Sequence, residues 1–261
     1  MGISGVANTG NGGGGSSGVN SSTDQGGAGG SGIVIVRYKY DTSIPIPLML
    51  SGCQLWFDAN DGPKDGSGNT PSSGGSITTW LDRSGNNRHA ITGSSPTYIT
   101  GVLNSKPVVR FSSSQYLTYS SYSPGNIPMT YVMVERNLSG STGAAPFSWG
   151  STSSRSSGIV FQNNSGMQPF SPQAFNNTSG RYWIYRQNNT GSGDDGLMNG
   201  TSLTPTANDT GNIAAPFDIG RRNASGIYCA GDLAEIIVYN RAITDNERSL
   251  LASYLHNKYA L

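Results

Sequence analysis

The residues of this chain that could do chemistry are few, and most are oxygen donors. Asp58, Asn60 and Asp61 fall within one short stretch, LWFDAND, with Asp65 close behind. Asp and Asn side chains gathered at a turn supply the hard oxygen ligands that Ca²⁺ takes. The spacing departs from the D-x-[DN]-x-[DN]-G-x5-E loop, and such clusters also form turns unaided by accepting nearby backbone amides. Calcium is left open, with Asp58, Asn60 and Asp61 as its ligands; no other cofactor is indicated. Asp82, Asn86 and Asn87 in TWLDRSGNNRHA form a second cluster of the same kind.

Acid–base chemistry finds less support. Retaining glycoside hydrolysis needs two carboxyls ~5–5.5 Å apart, and the E-x-D-x-E strand motif that supplies them in glucanases does not occur. Asp232 and Glu235 are three residues apart, so a regular strand turns them to opposite faces. Glu135 stands alone among apolar residues, and Asp194 and Asp195 lie in a Gly-rich stretch. Of the two histidines, His89 reads as a packed residue and His256 as solvent-facing, since neither has Cys or His companions. There is no G-x-S-x-G elbow. On these grounds the chain reads as not an enzyme, with no catalytic residue.

Sugar recognition asks for aromatic faces to stack on and for amides or guanidinium groups to bond hydroxyls. The middle of the chain offers Trp149, Arg155, Trp183, Tyr185, Asn188 and Asn189 as a carbohydrate-binding set. Strand alternation in RYWIYRQNN places Trp183 and Tyr185 on one face and Tyr182, Ile184 and Arg186 on the other, so part of the set must be core.

The elements that would position these residues are nearly all strands. CQLWFDA, SITTWLD, KPVVRF, MTYVMVER, GIVFQN, RYWIYRQ, APFDIG and GDLAEIIVYN recur between Gly, Ser, Asn and Pro punctuation, the signature of an all-β sandwich or barrel. The last run is apolar on both faces and belongs mid-sheet. Regular alternation there groups Ala234, Ile236 and Val238 against Leu233, Glu235 and Ile237. One helix is signalled, by the capping box Thr244-Asp-Asn-Glu247 followed by Leu250, Leu251, Tyr254 and Leu255 on one face. Cys53 and Cys229 precede the first and last long strands, which antiparallel pairing would put at opposite ends; their apolar surroundings favour free thiols, and whether the two are paired is left open.

Residues 2–32 are a Gly/Ser/Asn tract, readable as flexible coil or as an ordered chain packed backbone to backbone. It runs into IVIVRYKY (Ile33–Tyr40), a strand-like segment, and then into the proline-stiffened DTSIPIPLML. The expected organisation is residues 1–40 as a glycine-rich segment ending in a strand, 41–50 as a linker and 51–261 as the sandwich. Lys and Arg number 16 against 15 Asp and Glu, a balance that offers no field for nucleic acid or an anionic membrane. No apolar run approaches the ~20 residues of a membrane span, and MGISGVANTG has no signal-peptide pattern.

Four motifs in order resemble the concanavalin A-like (laminin-G-like) lectin/glucanase superfamily: LWFDAND; Trp80, Asp82, Ser84-Gly-Asn86 and His89-Ala90; KPVVRF; and GDLAEIIVYNRAIT with its terminal Tyr254–Tyr259. The resemblance implies a concanavalin A-like antiparallel jelly roll with one C-terminal helix. GGSGIVIVRY resembles the end of glycine-rich regions in surface and tail-fibre proteins of phages and large DNA viruses. Together they imply a virion-surface structural protein of fibre, tail or capsid-decoration type. It would self-associate and join other virion proteins through the glycine-rich segment, and would present a lectin-like domain to host glycans. The alternatives are a virion subunit with no ligand, or a divergent glycoside hydrolase.

Overall fold

The computed structural model describes residues 2–15, 25–33, 44–112, 114–140, 144–150, 157–159, 178–190, 192–204, 213–222 and 226–261. The chain divides into two compact units, Met1–Ser43 and Ile44–Leu261. The second unit begins with a helical turn, α1 (Ile46–Met49). Its strands are β1 (Cys53–Asp58), β2 (Pro63–Lys64), β3 (Thr79–Trp80), β4 (Ala90–Ser94), β5 (Thr97–Leu103), β6 (Lys106–Phe111), β7 (Tyr116–Tyr119) and β8 (Met129–Gly140). Further along come β9 (Phe147–Trp149), β10 (Ser157–Ile159), β11 (Arg181–Gln187), β12 (Asp195–Met198), β13 (Thr201–Leu203), β14 (Phe217–Ile219) and β15 (Cys229–Tyr239). Helix α2 (Asp245–Tyr259) closes the chain, and among the described residues no helix is long and apolar enough to cross a membrane.

The strands build two antiparallel sheets, the all-β sandwich that the strand pattern implies. The larger is ordered β13-β12-β11-β8-β15-β6-β5 and the smaller β10-β9-β14-β7-β4-β3-β2. Strand β15 takes β8 along one edge, and on the other takes β6 against Gly231–Leu233 and β1 against Glu235–Tyr239. The opening and closing motifs of the domain are therefore hydrogen-bonded neighbours. Between the sheets lie Phe57, Trp80, Tyr131, Met133, Trp149, Trp183, Phe217, Ile236 and Val238. The opposite face of the large sheet buries Trp56, Val132, Val134, Ile184, Ile237 and Tyr239 against Leu251, Leu255 and Tyr259 of α2. A sheet covered on both faces needs apolar residues at consecutive positions, and that is why β8 and β15 read as unbroken apolar runs.

Two expectations change, and a third falls outside the described residues. The register of β15 against β8 shifts between Leu233 and Glu235, and such a bulge reverses the facing of the residues beyond it. Leu233, Ile236 and Val238 consequently share the inter-sheet core, with Ala234 and Ile237 on the helix side. Residues 44–50 are no linker: Leu50 is buried and the Tyr239 hydroxyl donates to the Pro47 carbonyl at 3.0 Å. The strand expected at Ile33–Tyr40 lies, apart from Ile33, outside the described residues.

The bulge also turns Glu235 under the helix, fully buried. It accepts from Trp56 Nε1 at 2.7 Å, Tyr254 Oη at 2.8 Å, Tyr259 Oη at 2.9 Å and Lys258 Nζ at 2.9 Å. Lys258 also reaches Asp58 at 2.7 Å, which faces Glu235 across the β1–β15 pairing. Burial raises the Glu235 carboxyl above its ordinary range, against the pull of Lys258. For Lys258 burial acts downward, and the Glu235 and Asp58 charges outweigh it and hold the ammonium above the ordinary lysine value. At the other end of α2 the expected capping box is present. Its Glu247 is clamped by Arg241 at 2.6 and 2.7 Å.

Two outcomes are expected. Lys258→Met strands two carboxylates beneath the helix and should cost about 3–5 kcal/mol in urea unfolding; an unchanged midpoint would remove the cluster from the stability argument. The Glu247 carboxyl is lowered from 4.5 to about 2, chiefly by its hydrogen bonds from Arg241. A depressed carboxyl contributes stability that is present above its unfolded value and lost as pH falls through the folded one. Thermal melts should therefore lose stability between pH 4.5 and about 2, and Glu247→Gln should flatten the curve across that window.

Candidate functional site

One end of the sandwich collects the start of β8, the ends of β11 and β15 and the start of β1, as the pairs Gln187–Met129, Tyr239–Thr130 and Cys53–Tyr239 show. Loops from three parts of the sequence meet there. Tyr122 and Asn126 belong to the loop entering β8, Asn188–Asp194 to the loop leaving β11, and Arg88 to the Ser-Gly-Asn turn before β4. The Arg88 guanidinium lies 3.7 Å from the centre of the Tyr122 ring and donates to Gln54 Oε1 at 2.9 Å, so its plane is fixed. Asn189 donates from Nδ2 to Asn126 Oδ1, tying two loops together. Its backbone sits at φ 59°, a left-handed conformation that Asn tolerates better than most residues. The Asn189 Oδ1 atom has no hydrogen-bond partner among the described residues. Beneath it, Asp194 holds the loop by accepting from the Asn188 amide at 2.8 Å and the Tyr185 hydroxyl at 2.7 Å.

The expected sugar-binding set is only partly assembled here. Asn188 and Asn189 are on the rim, half-buried. Trp149, Trp183 and Tyr185 are corrected to core residues, being 0%, 0% and 2% exposed, because each occupies a strand position that faces the opposing sheet. Trp149 packs 4.4 Å from Phe217 and edge-on to Tyr122 at 6.3 Å, a floor beneath the rim. Trp183 sits farther along β11 beside Glu135, at 3.3 Å from its Oε1. Arg155 lies outside the described residues. Arg88, Tyr122, Asn126 and Asp194 escape a reading of the sequence as site residues. Arg88 stands within a motif whose role looks structural, and the others lack any distinguishing local pattern.

The calcium set is corrected as well. Asp58 turns inward to Lys258, Asp61 turns outward to Arg83 at 2.7 Å, and Asn60 is exposed. Among the described residues no group of three His, Cys, Asp or Glu side chains is placed to hold a metal. Asp82 is a clasp: it accepts from Trp56 N at 2.9 Å, Ser84 N at 2.9 Å and Arg88 N at 3.0 Å, which fastens the Ser-Gly-Asn turn to β1. His89 packs beside it, its Nδ1 accepting the Asp82 amide at 3.0 Å. Cys53 and Cys229 are free, and burial pushes the Cys53 thiol up to about 12.

Two buried carboxylate groups stand out among the described residues. Asp58 and Glu235 lie side by side, but Lys258 Nζ fills the space between them. Glu135, fully buried on the inner face of β8, accepts from Arg181 Nε at 2.6 Å. Its Oε2 has no partner among the described residues, and burial raises its carboxyl despite the Arg181 charge.

No protein-family model matches the chain, and no curated protein matches it in sequence. Its fold is matched by solved structures. Domain 4 of AbnA, a GH43 extracellular arabinanase from Geobacillus stearothermophilus in complex with arabinotriose, is 16% identical. The match covers 77% of this chain and 98% of that one, with a TM-score of 0.52. A GH54 α-L-arabinofuranosidase soaked with a cyclic sulfate inhibitor is 10% identical over 70% of this chain and 51% of its own, at a TM-score of 0.51. The same figures hold for an arabinofuranosidase complexed with arabinofuranosyl-α-1,2-xylobiose. This chain thus spans about half the length of those arabinofuranosidases. The domain is a two-sheet β-sandwich, and at these identities the likeness carries the fold alone.

These neighbours overturn the exclusion of enzymatic activity. The fold occurs within glycoside hydrolase chains, so a missing E-x-D-x-E strand does not separate this chain from enzymes. Carboxyls can also come from strands distant in sequence.

The pairing of Asp58 and Asp61 with cations leads to one expectation. Adding Ca²⁺ or a chelator should leave the thermal midpoint of the domain unchanged, whereas Asp58→Asn should lower it in either buffer. A chelator-dependent midpoint would restore the acidic loop as a metal site.

Proposed function

We propose that the sandwich is a carbohydrate-binding domain whose sugar seat is the rim formed by Arg88, Tyr122, Asn126 and Asn189. The observation that carries the reading is a stacked Arg88–Tyr122 pair and a tied Asn126–Asn189 pair at the same end of the sandwich, set by loops from three parts of the sequence. Amides and a planar guanidinium suit the vicinal hydroxyls of a neutral sugar, and the chain's net charge of +1 favours no strongly charged ligand. The similar arabinanase domain was solved with arabinotriose, which makes neutral oligosaccharides, arabinans among them, the first ligands to try.

The test is binding of the full chain to a glycan array and to arabino-oligosaccharides by calorimetry. Arg88→Lys, which keeps the charge and loses the flat fork, and Asn189→Gly, which keeps the left-handed backbone, should each weaken binding about tenfold or more, roughly 1.4 kcal/mol, with the melting midpoint held. Binding that ignores both substitutions, or no binding to any glycan, would defeat the reading.

A finer proposal places the chain on a virion surface, with the glycine-rich unit joining other virion proteins and the sandwich facing host glycans. Its support is the sequence GGSGIVIVRY beside a lectin-like fold. Particles that take up the chain equally well without residues 1–43 would sink it. A hydrolytic reading is favoured by Glu135 alone, a buried carboxyl with one open oxygen. It requires reducing ends to be released in the same sugar assay and lost in Glu135→Gln.

A further inference from the structure

Among the described residues of the first unit, the separate segments are joined mainly by backbone hydrogen bonds. The Gly2 amide donates to the Gln25 carbonyl at 2.9 Å and, three residues on, Gly5 donates to Ala28 at 2.8 Å. Gly27 donates to Gly14 at 2.8 Å and Gly30 to Asn11 at 2.7 Å, again three residues apart, while Gly14 donates to Ile3 at 2.7 Å. Segments 2–6, 11–15 and 25–33 therefore each bond to the other two, the first and third parallel and the second antiparallel to both. A β ladder would repeat every two residues. A repeat of three belongs to the polyproline-II helix, which has three residues per turn and no internal hydrogen bonds.

Glycine is what lets three such helices touch. A Cβ added at Gly2, Gly5, Gly13, Gly27 or Gly30 would overlap backbone atoms of a neighbouring segment, the restriction that governs the crowded axis of collagen.

We propose that this glycine bundle is an association surface whose partner is the same bundle in a second copy of the chain. The amides of Ser4, Val6, Gly13, Ala28 and Gly29 have no protein partner among the described residues. Ile3, Val6 and Ile33 are 84%, 65% and 66% exposed. Residues 2–15 and 25–33 carry no charged side chain, so two copies meet without repulsion. The period selects the partner. A strand edge offers donors every second residue and falls out of step with a three-residue repeat of ~9.3 Å, whereas another glycine bundle continues the packing that already joins the three segments. The inference rests on the first unit alone and is independent of the sugar seat.

Sedimentation velocity of the full chain from micromolar to millimolar concentration tests it. The sedimenting mass should rise to dimer or beyond. Ile3→Lys, Val6→Lys and Ile33→Lys together should return it to monomer, with sugar binding and the sandwich melting transition unchanged. Gly5→Ala with Gly27→Ala, which breaks the bundle from within, should also abolish association. A wild-type chain that stays monomeric throughout overturns the proposal, as does association that survives either set of substitutions.

Discussion

Strand β15 has no face turned to water, and the rest of the sandwich is built around that constraint. One side packs on the small sheet and the other on α2, so its polar groups must find partners inside. Glu235 is the severe case. An isolated buried carboxylate is untenable, and the fold supplies two hydroxyls, an indole and an ammonium to hold it. Three of those four groups belong to α2, so the helix that covers the sheet also neutralises it. Its capping box and the Arg241–Glu247 clamp anchor its start, and the cluster on Lys258 anchors its end.

The same constraint explains why the large aromatics are poor markers of a binding site here. Trp149, Trp183 and Tyr185 are drawn into the space between two sheets by the area they remove from water. The proposed sugar seat is accordingly made of half-buried and exposed groups at the sandwich end. These are set by supporting bonds: Gln54 orients Arg88, Asp194 holds the loop of Asn188 and Asn189, and Trp149 underlies Tyr122. Side chains fixed in this way lose little freedom on meeting a ligand, and preorganisation of that kind raises affinity without added contact area.

The glycine-rich unit solves the opposite problem. The sandwich hides side chains and satisfies backbone within sheets, while residues 2–15 and 25–33 of the first unit have few side chains to hide and are joined by main-chain pairing. Glycine in such a tract marks close approach as well as freedom. Within residues 2–15 and 25–33, hydrogen bonds three residues apart let separate segments pair in step.

Much of the architecture was legible in the residues. Alternation and turn punctuation identified the strands, Thr244 and Glu247 placed the helix start, and the doubly apolar GDLAEIIVYN run located the mid-sheet strand. These are local signals, readable because backbone geometry fixes which neighbours share a face. What the tertiary structure alone decided is non-local. The bulge at Ala234 moved Glu235 to the helix side although no residue in that run announces an irregularity. Lys258 turned Asp58 from a metal-ligand candidate into half of an ion cluster across 200 residues of sequence. Arg88, Tyr122 and Asn189 were brought to one end of the sandwich only by loops from three separate parts of the sequence. A chain carries side-chain chemistry along its length, but burial and the identity of the facing group are set by how separate strands pair, and a sequence read locally cannot contain them.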